Sequence, residues 1–222
     1  MKRLYISSLI PKSTLSILET MGFVIFPLPP CKTLPSPTST HADMILFYDG
    51  ELILSEDYYT ANTTLFDKVV LTTEHSSPSY PGDILFNCFV LNNTLFGKLE
   101  NLSLKIKERY DKQIDLKQGY AKCSCIVLDD AIITADESIF GAVSKTTADA
   151  LKISAGHICL PGYDCGFIGG SSLVFDNTVF FFGDITSHPD HEKIKEFLSV
   201  HGYNLAFDKS YPLTDFGGGI IA

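Results

Sequence analysis

His41 and Asp43 stand two residues apart in a run, 41–54, whose composition suits a β-hairpin turning at Asp49-Gly50. On a strand such residues share a face, about 6–7 Å apart. An imidazole that moves protons and a carboxylate that accepts hydrogen bonds from a cation would then project together. Cys123 is the candidate nucleophile, because the ammonium of Lys122 beside it favours a thiolate. Each residue also has a plain structural reading. His41 and Asp43 equally suit a rim where both bond to nearby backbone, and the alternation of Cys123 with Cys125 equally suits two small core residues. Cys88 and Cys159 read as core.

Other polar residues extend the set. Asp83 and Asn87, four apart on an expected strand, share a face suited to an amine or amide, or else fix the loop after Pro81-Gly82. Gly162-Tyr163-Asp164 and the run from Gly166 to Gly170 let backbone approach a ligand closely. That run leads into a strand and lacks the strand, GxGxxG, helix context of a dinucleotide site, so tight packing is the alternative. Asp215 heads a terminal glycine-rich segment. His188-Pro189-Asp190-His191 has metal-ligating types, but Pro189 suits the first position of a helix. No metal and no cofactor is expected.

Four hairpins organise the chain, turning at Asp49-Gly50, Asn92-Asn93, Asp129-Asp130 and Asp176-Asn177. Helix and strand patterns precede or follow them at 11–20 and 23–28, 57–67 and 69–73, 99–109 and 114–116, 137–148 and 151–154, and 189–202 and 204–207. Residues 29–40, rich in Pro, Ser and Thr, read as a loop. Strand 3–7 and the half-hairpin 217–222 are unpaired ends that complete a fifth hairpin if they meet, removing exposed edges. Six positions before each turn stand Asp43, Phe86, Cys123 and Gly170. Strand alternation would bring that set to one face near a common axis, so His41, Asp43, Cys123 and Asp215 are expected to converge.

The 222 residues are 45% hydrophobic and 19% charged, consistent with one globular domain spanning 1–222. No run reaches the roughly 18 apolar residues of a membrane span, and the apolar stretch before Pro11 is too short for a secretory signal. A cytoplasmic protein without a membrane partner is expected. A formal charge of -9 without a basic stripe disfavours nucleic acid as a direct partner and favours a cationic small molecule. The six cysteines, with no CxxC pair, suit reduced thiols.

Five quasi-repeated helix, strand, hairpin units closed by pairing of the terminal strands resemble the pseudo-fivefold α/β-propeller, or pentein, fold. Arginine deiminases, agmatine deiminases, amidinotransferases and a ribosome anti-association factor share it. More narrowly, His41-Ala42-Asp43, Gly119-Tyr120-Ala121-Lys122-Cys123-Ser124, Gly166-Phe167-Ile168-Gly169-Gly170 and Asp215-Phe216-Gly217-Gly218-Gly219 resemble an uncharacterised clostridial-type family of this guanidino-modifying fold. The resemblance implies that His41 acts as general acid/base and Asp43 holds a guanidinium. It also implies a nucleophilic cysteine in a glycine-rich segment near the C-terminus; residues 217–222 resemble that segment, but no cysteine follows. Either Cys123 or another group takes the role, or the fold binds without covalent chemistry. The expectation is therefore a binder of a guanidino or related cationic small molecule in an axial pocket, using Asp43, Asp83, Asn87, Lys122, Asp164, Gly170 and Asp215. An active Cys-dependent hydrolase or transferase and a non-catalytic interaction factor are the alternatives.

Overall fold

Short β-rich runs separated by Asn, Asp and Gly fold as hairpins because those turns need left-handed backbone. Asn92, Asn93 and Asp176 adopt it, with φ of 49°, 57° and 47°. The computed structural model describes residues 2–222. In it β1 (Lys2–Ser7) and β2 (Phe23–Leu28) are parallel strands joined by helix α1 (Lys12–Thr20). A short helix, α2 (Ala42–Ile45), leads to β3 (Phe47–Tyr48) and β4 (Leu52–Ser55), followed by α3 (Glu56–Ala61) and β5 (Val69–Thr72). The next unit is β6 (Phe89–Leu91), β7 (Thr94–Gly97), α4 (Leu104–Lys107) and β8 (Lys112–Asp115). Then come β9 (Cys125–Val127), β10 (Ala131–Thr134), α5 (Glu137–Val143) and β11 (Asp149–Lys152). Last are β12 (Ser172–Phe175), β13 (Thr178–Phe181), α6 (His191–Val200), β14 (Asn204–Phe207) and β15 (Gly219–Ile221).

These strands form five separate three-stranded sheets of one design: an antiparallel hairpin whose second strand pairs in parallel with the strand after the helix. The expected meeting of the ends is present. β1 pairs antiparallel with β15, with Leu4 opposite Ile221, Tyr5 opposite Ile220 and Ile6 opposite Gly219. The first hairpin strands pack side by side, β15 against β3 and β12, and β9 against β6 and β12. Helices cover the sheets on apolar faces. Ile194 and Leu198, one turn apart on α6, are fully buried among Val179, Phe181 and Ile185, each contributing about 1.5–3 kcal/mol. No helix of the described residues is long and apolar enough to cross a membrane.

The approaches to the hairpins differ from the sequence reading. Residues 41–46, 120–124 and 167–171 coil into single turns, closed by bonds from Leu46 N–H to the Ala42 carbonyl (2.8 Å), Ser124 to Tyr120 (3.0 Å) and Ser171 to Phe167 (3.1 Å), and 83–88 holds a tighter turn closed by Asn87 N–H on the Ile84 carbonyl (2.9 Å). Their Gly, Ala, Ser, Asp and Asn content carries little β propensity. The strand alternation expected to put His41 with Asp43, and Asp83 with Asn87, on one face is therefore absent from these segments.

Hydrogen bonds tie these turns into a cycle. Asp43 N–H donates to the Gly217 carbonyl (3.2 Å), Gly218 N–H to Gly170 (2.8 Å), and Gly170 N–H to Cys123 (3.0 Å). Lys122 and Cys123 N–H donate to Asn87 Oδ1 (2.8 and 3.3 Å), and Asn87 Nδ2 donates to the Asp43 carbonyl (3.2 Å). Asn87 is fully buried. Replacing it by Ala strands three buried backbone groups, so Asn87→Ala should lower the unfolding free energy by about 2–4 kcal/mol in urea titration. A loss below about 1 kcal/mol would show that the cycle contributes little.

Candidate functional site

Three of the four residues expected to converge line one cavity. His41, Cys123 and Asp215, with Thr38, Met44, Tyr120, Leu160, Tyr163, Cys165 and Phe167, enclose about 140 Å³. His41 is the N-cap of α2, Cys123 sits in the turn before β9, and Asp215 in the segment before β15. Asp43, on α2, adjoins them through its carboxylate: Cys123 Sγ donates to Asp43 Oδ2 at 3.0 Å. His41, Asp43, Cys123 and Asp215 are each no more than 3% exposed.

Glycines make this closeness feasible. A Cβ on Gly170 would lie 2.0 Å from Asp215 Oδ1, and one on Gly217, at φ +76°, would lie 2.2 Å from His41 Cβ. The carboxylate is thereby held by Phe167 N–H on Oδ2 and Gly217 N–H on Oδ1, both at 2.9 Å. Gly170 thus makes room for an acidic side chain.

The electrostatics are those of buried acids beside a neutral imidazole, with no buried cation. Burial, then the neighbouring charge of Asp215, raises the Asp43 carboxyl to about 8. Burial raises Asp215 to about 6 against two backbone donors. His41 is lowered by burial to about 4, and its Nδ1, 3.8 Å from Asp215 Oδ1, has no hydrogen-bond partner. The imidazole is neutral at pH 7. Burial first, and Asp43 second, push the Cys123 thiol well above its usual value. Lys122 does not make it a thiolate; the ammonium lines another cavity, together with Asp43.

The remaining candidates separate. Asp83 is buried and accepts from Tyr120 O–H at 2.7 Å, so it reaches the cavity only through that phenol. Asn87 also contacts Cys123 Sγ at 3.0 Å but is spent on the cycle. Asp164 is exposed and lines a surface depression with Gly156 to Tyr163, away from His41 and Cys123. Cys159, read as core, is exposed. At the His188-Pro189-Asp190-His191 segment, Asp190 Oδ2 accepts from Ser154 N–H at 2.6 Å and Oδ1 from Lys193 at 2.7 Å. No group of three metal-ligating side chains occurs among the described residues.

The aromatic lining was missed by sequence reasoning, although a signal existed. Tyr120 and Phe167 each stand nine positions before a hairpin turn, at Asp129 and Asp176, and their rings lie 6.1 Å apart. Cys165, half-buried on the same cavity, carried no such positional mark.

Solved structures with this architecture define the class. An agmatine deiminase from C. jejuni matches with a TM-score of 0.54 and 12% identity, over 90% of this chain and 74% of that one. A DDAH from Pseudomonas aeruginosa, a mutant complexed with citrulline, gives 0.53 and 11% over 94% and 92%. SxtG, an amidinotransferase from Microseira wollei in the saxitoxin biosynthetic pathway, gives 0.53 and 12% over 94% and 77%. The fold is that of the pentein proteins. No curated protein matches the sequence. The chain belongs to a family of unknown function, DUF6873, whose model matches residues 5–221.

The buried acids give stability a defined pH dependence. A carboxyl with a raised folded value keeps its proton longer in the folded state, so its contribution is full below the ordinary 3.8 and is lost as pH rises to about 8 for Asp43. His41 acts oppositely, losing stability only as pH falls from 6.5 to about 4. Between pH 6.5 and 8, Asp43→Asn should therefore gain on wild type, by on the order of a few kcal/mol at the upper end, less the cost of the new amide protons. Urea melts across that window check it; a constant difference would show that Asp43 ionises normally.

Proposed function

We propose that the protein binds a small cation bearing a guanidino or related group on the axial carboxylates, as a relative of the guanidino-modifying enzymes. Its five units form a ring about a common axis in this reading, with the hydrogen-bonded turns at the centre. The observation that carries it is a pair of buried acids, Asp43 and Asp215, with no buried cation between them; Asp43 Oδ1 has no partner at all. A guanidinium presents five donors in a planar fork, so it could donate to oxygens of both acids while its single positive charge offsets one carboxylate. The rings of Tyr120 and Phe167 add faces on which such a cation stacks.

Binding without turnover is the favoured form, because the resting Cys123 is a protonated thiol that donates to a carboxyl. One observation supports the catalytic alternative: His41 lines the same cavity as Cys123, and an arriving cation would favour the thiolate. Arginine, agmatine and methylguanidine should raise the melting temperature of wild type, with urea as the neutral control. The shift should vanish in Asp215→Asn and Asp43→Asn and persist in Cys123→Ala, with no ammonia or citrulline-type product. Product that disappears in Cys123→Ala would replace binding by catalysis, and indifference to every cation would end the reading.

Cation affinity should also climb between pH 6 and 8, because both carboxyls must shed protons to pair with it. Calorimetric titration with agmatine at several pH values measures the slope; a flat profile would mean that neither acid contacts the ligand.

A further inference from the structure

The contact between Cys123 and Asp43 has a second cavity on its other side. About 370 Å³ in volume, it lies within the range of small-molecule sites. Its apolar wall draws on the first strand of every hairpin, through Phe47, Phe89, Val127, Leu173 and Ile220. Three ionisable carboxyl or ammonium groups line it: Asp43, Lys122 and Asp49. Asp49 faces Arg109, 3.9 Å away. Lys122 is half-buried, and among the described residues its Nζ makes no ion pair or hydrogen bond. Asp43 Oδ1, on a side chain 3% exposed, is likewise unpartnered.

We propose that this cavity binds a small monocarboxylate with an apolar body, its carboxylate on Lys122 Nζ and Asp43 Oδ1 and its hydrocarbon against the five strands. An ammonium beside an apolar wall selects an anion, and a ligand without a polar head would leave both groups unsatisfied. Burial keeps the Asp43 carboxyl protonated at neutral pH, so it is a donor to the second carboxylate oxygen. A cationic head would meet Lys122 as a like charge. The proposal goes beyond the guanidino reading. It uses the opposite cavity and a probe of opposite charge; the two readings share Asp43, so Lys122, which lines only the larger cavity, is the residue whose variants separate them.

Hexanoate is the probe, with hexylamine and hexan-1-ol as head-group controls, titrated calorimetrically into the full chain at pH 6.5. Saturable binding of hexanoate alone is expected, weakened at least about tenfold in Lys122→Met and kept within about threefold in Lys122→Arg. Methyl-labelled protein supplies a readout that needs no variant. Hexanoate should move the methyl resonances of Val127, Leu173 and Ile220 and leave Leu160, which lines the other cavity, in place. Equal binding of the amine or the alcohol, unchanged affinity in Lys122→Met, shifts confined to Leu160, or no binding would each overturn the proposal.

Discussion

Everything at the centre of this protein depends on a hydrogen-bonded cycle in which each turn donates to the next and the last returns to the first. Five links, four to backbone carbonyls and one to the Asn87 side chain, all point the same way round: 43 to 217, 218 to 170, 170 to 123, 123 to 87, and 87 to 43. Donors and acceptors in such a chain polarise one another. Asn87 is the one side chain in it, offering an oxygen and an amide nitrogen where the other turns offer main chain. That substitution explains why a buried Asn with no solvent contact is compatible with the fold. The cycle also fixes where side chains leave the turns, so Cys123 and Asp43 meet although 80 residues separate them.

Within that frame the charge balance is one-sided. Two carboxyls and a thiol are buried together, and the imidazole beside them is unprotonated. At pH 7 a proton rather than a counter-ion neutralises Asp43, which avoids the larger desolvation cost of a second buried ion, while the Phe167 and Gly217 N–H groups hold the Asp215 carboxylate. The thiol completes the arrangement by giving its hydrogen to Asp43 Oδ2. A basic side chain at the position of Gly170 or Gly217 could not serve instead, because neither site has room for a Cβ.

Much of the architecture was legible in the sequence because turns carry local chemistry. Asn92-Asn93 and Asp176-Asn177 mark hairpins through their left-handed backbone, and a strand at 3–7 without a partner pointed to the strand near Ile220. The convergence of His41, Cys123 and Asp215 was also legible, but for an imperfect reason. Strand periodicity was extended through residues that in fact coil into single turns, whose closure depends on bonds to distant turns that no local pattern records. The same non-local geometry hid the division of the centre into two cavities. It sends Lys122 to one side and Cys123 to the other, leaves Asp164 outside both, and turns Asn87 from a ligand group into a structural link.

The sheet that joins β15, β1 and β2 has a kinetic implication. Its parallel pair forms from residues less than thirty apart in sequence, whereas its antiparallel pair, Leu4 with Ile221, spans nearly the whole chain. Loop closure over that distance is slow relative to the local hairpins. During synthesis β1 and β2 must therefore wait, with one hydrogen-bonding edge of β1 open, until residues 219–221 leave the ribosome. An exposed apolar edge of Leu4, Tyr5 and Ile6 is a pairing template for other chains during that interval. Pairing of β15 with β1 is thus also the step that covers this edge.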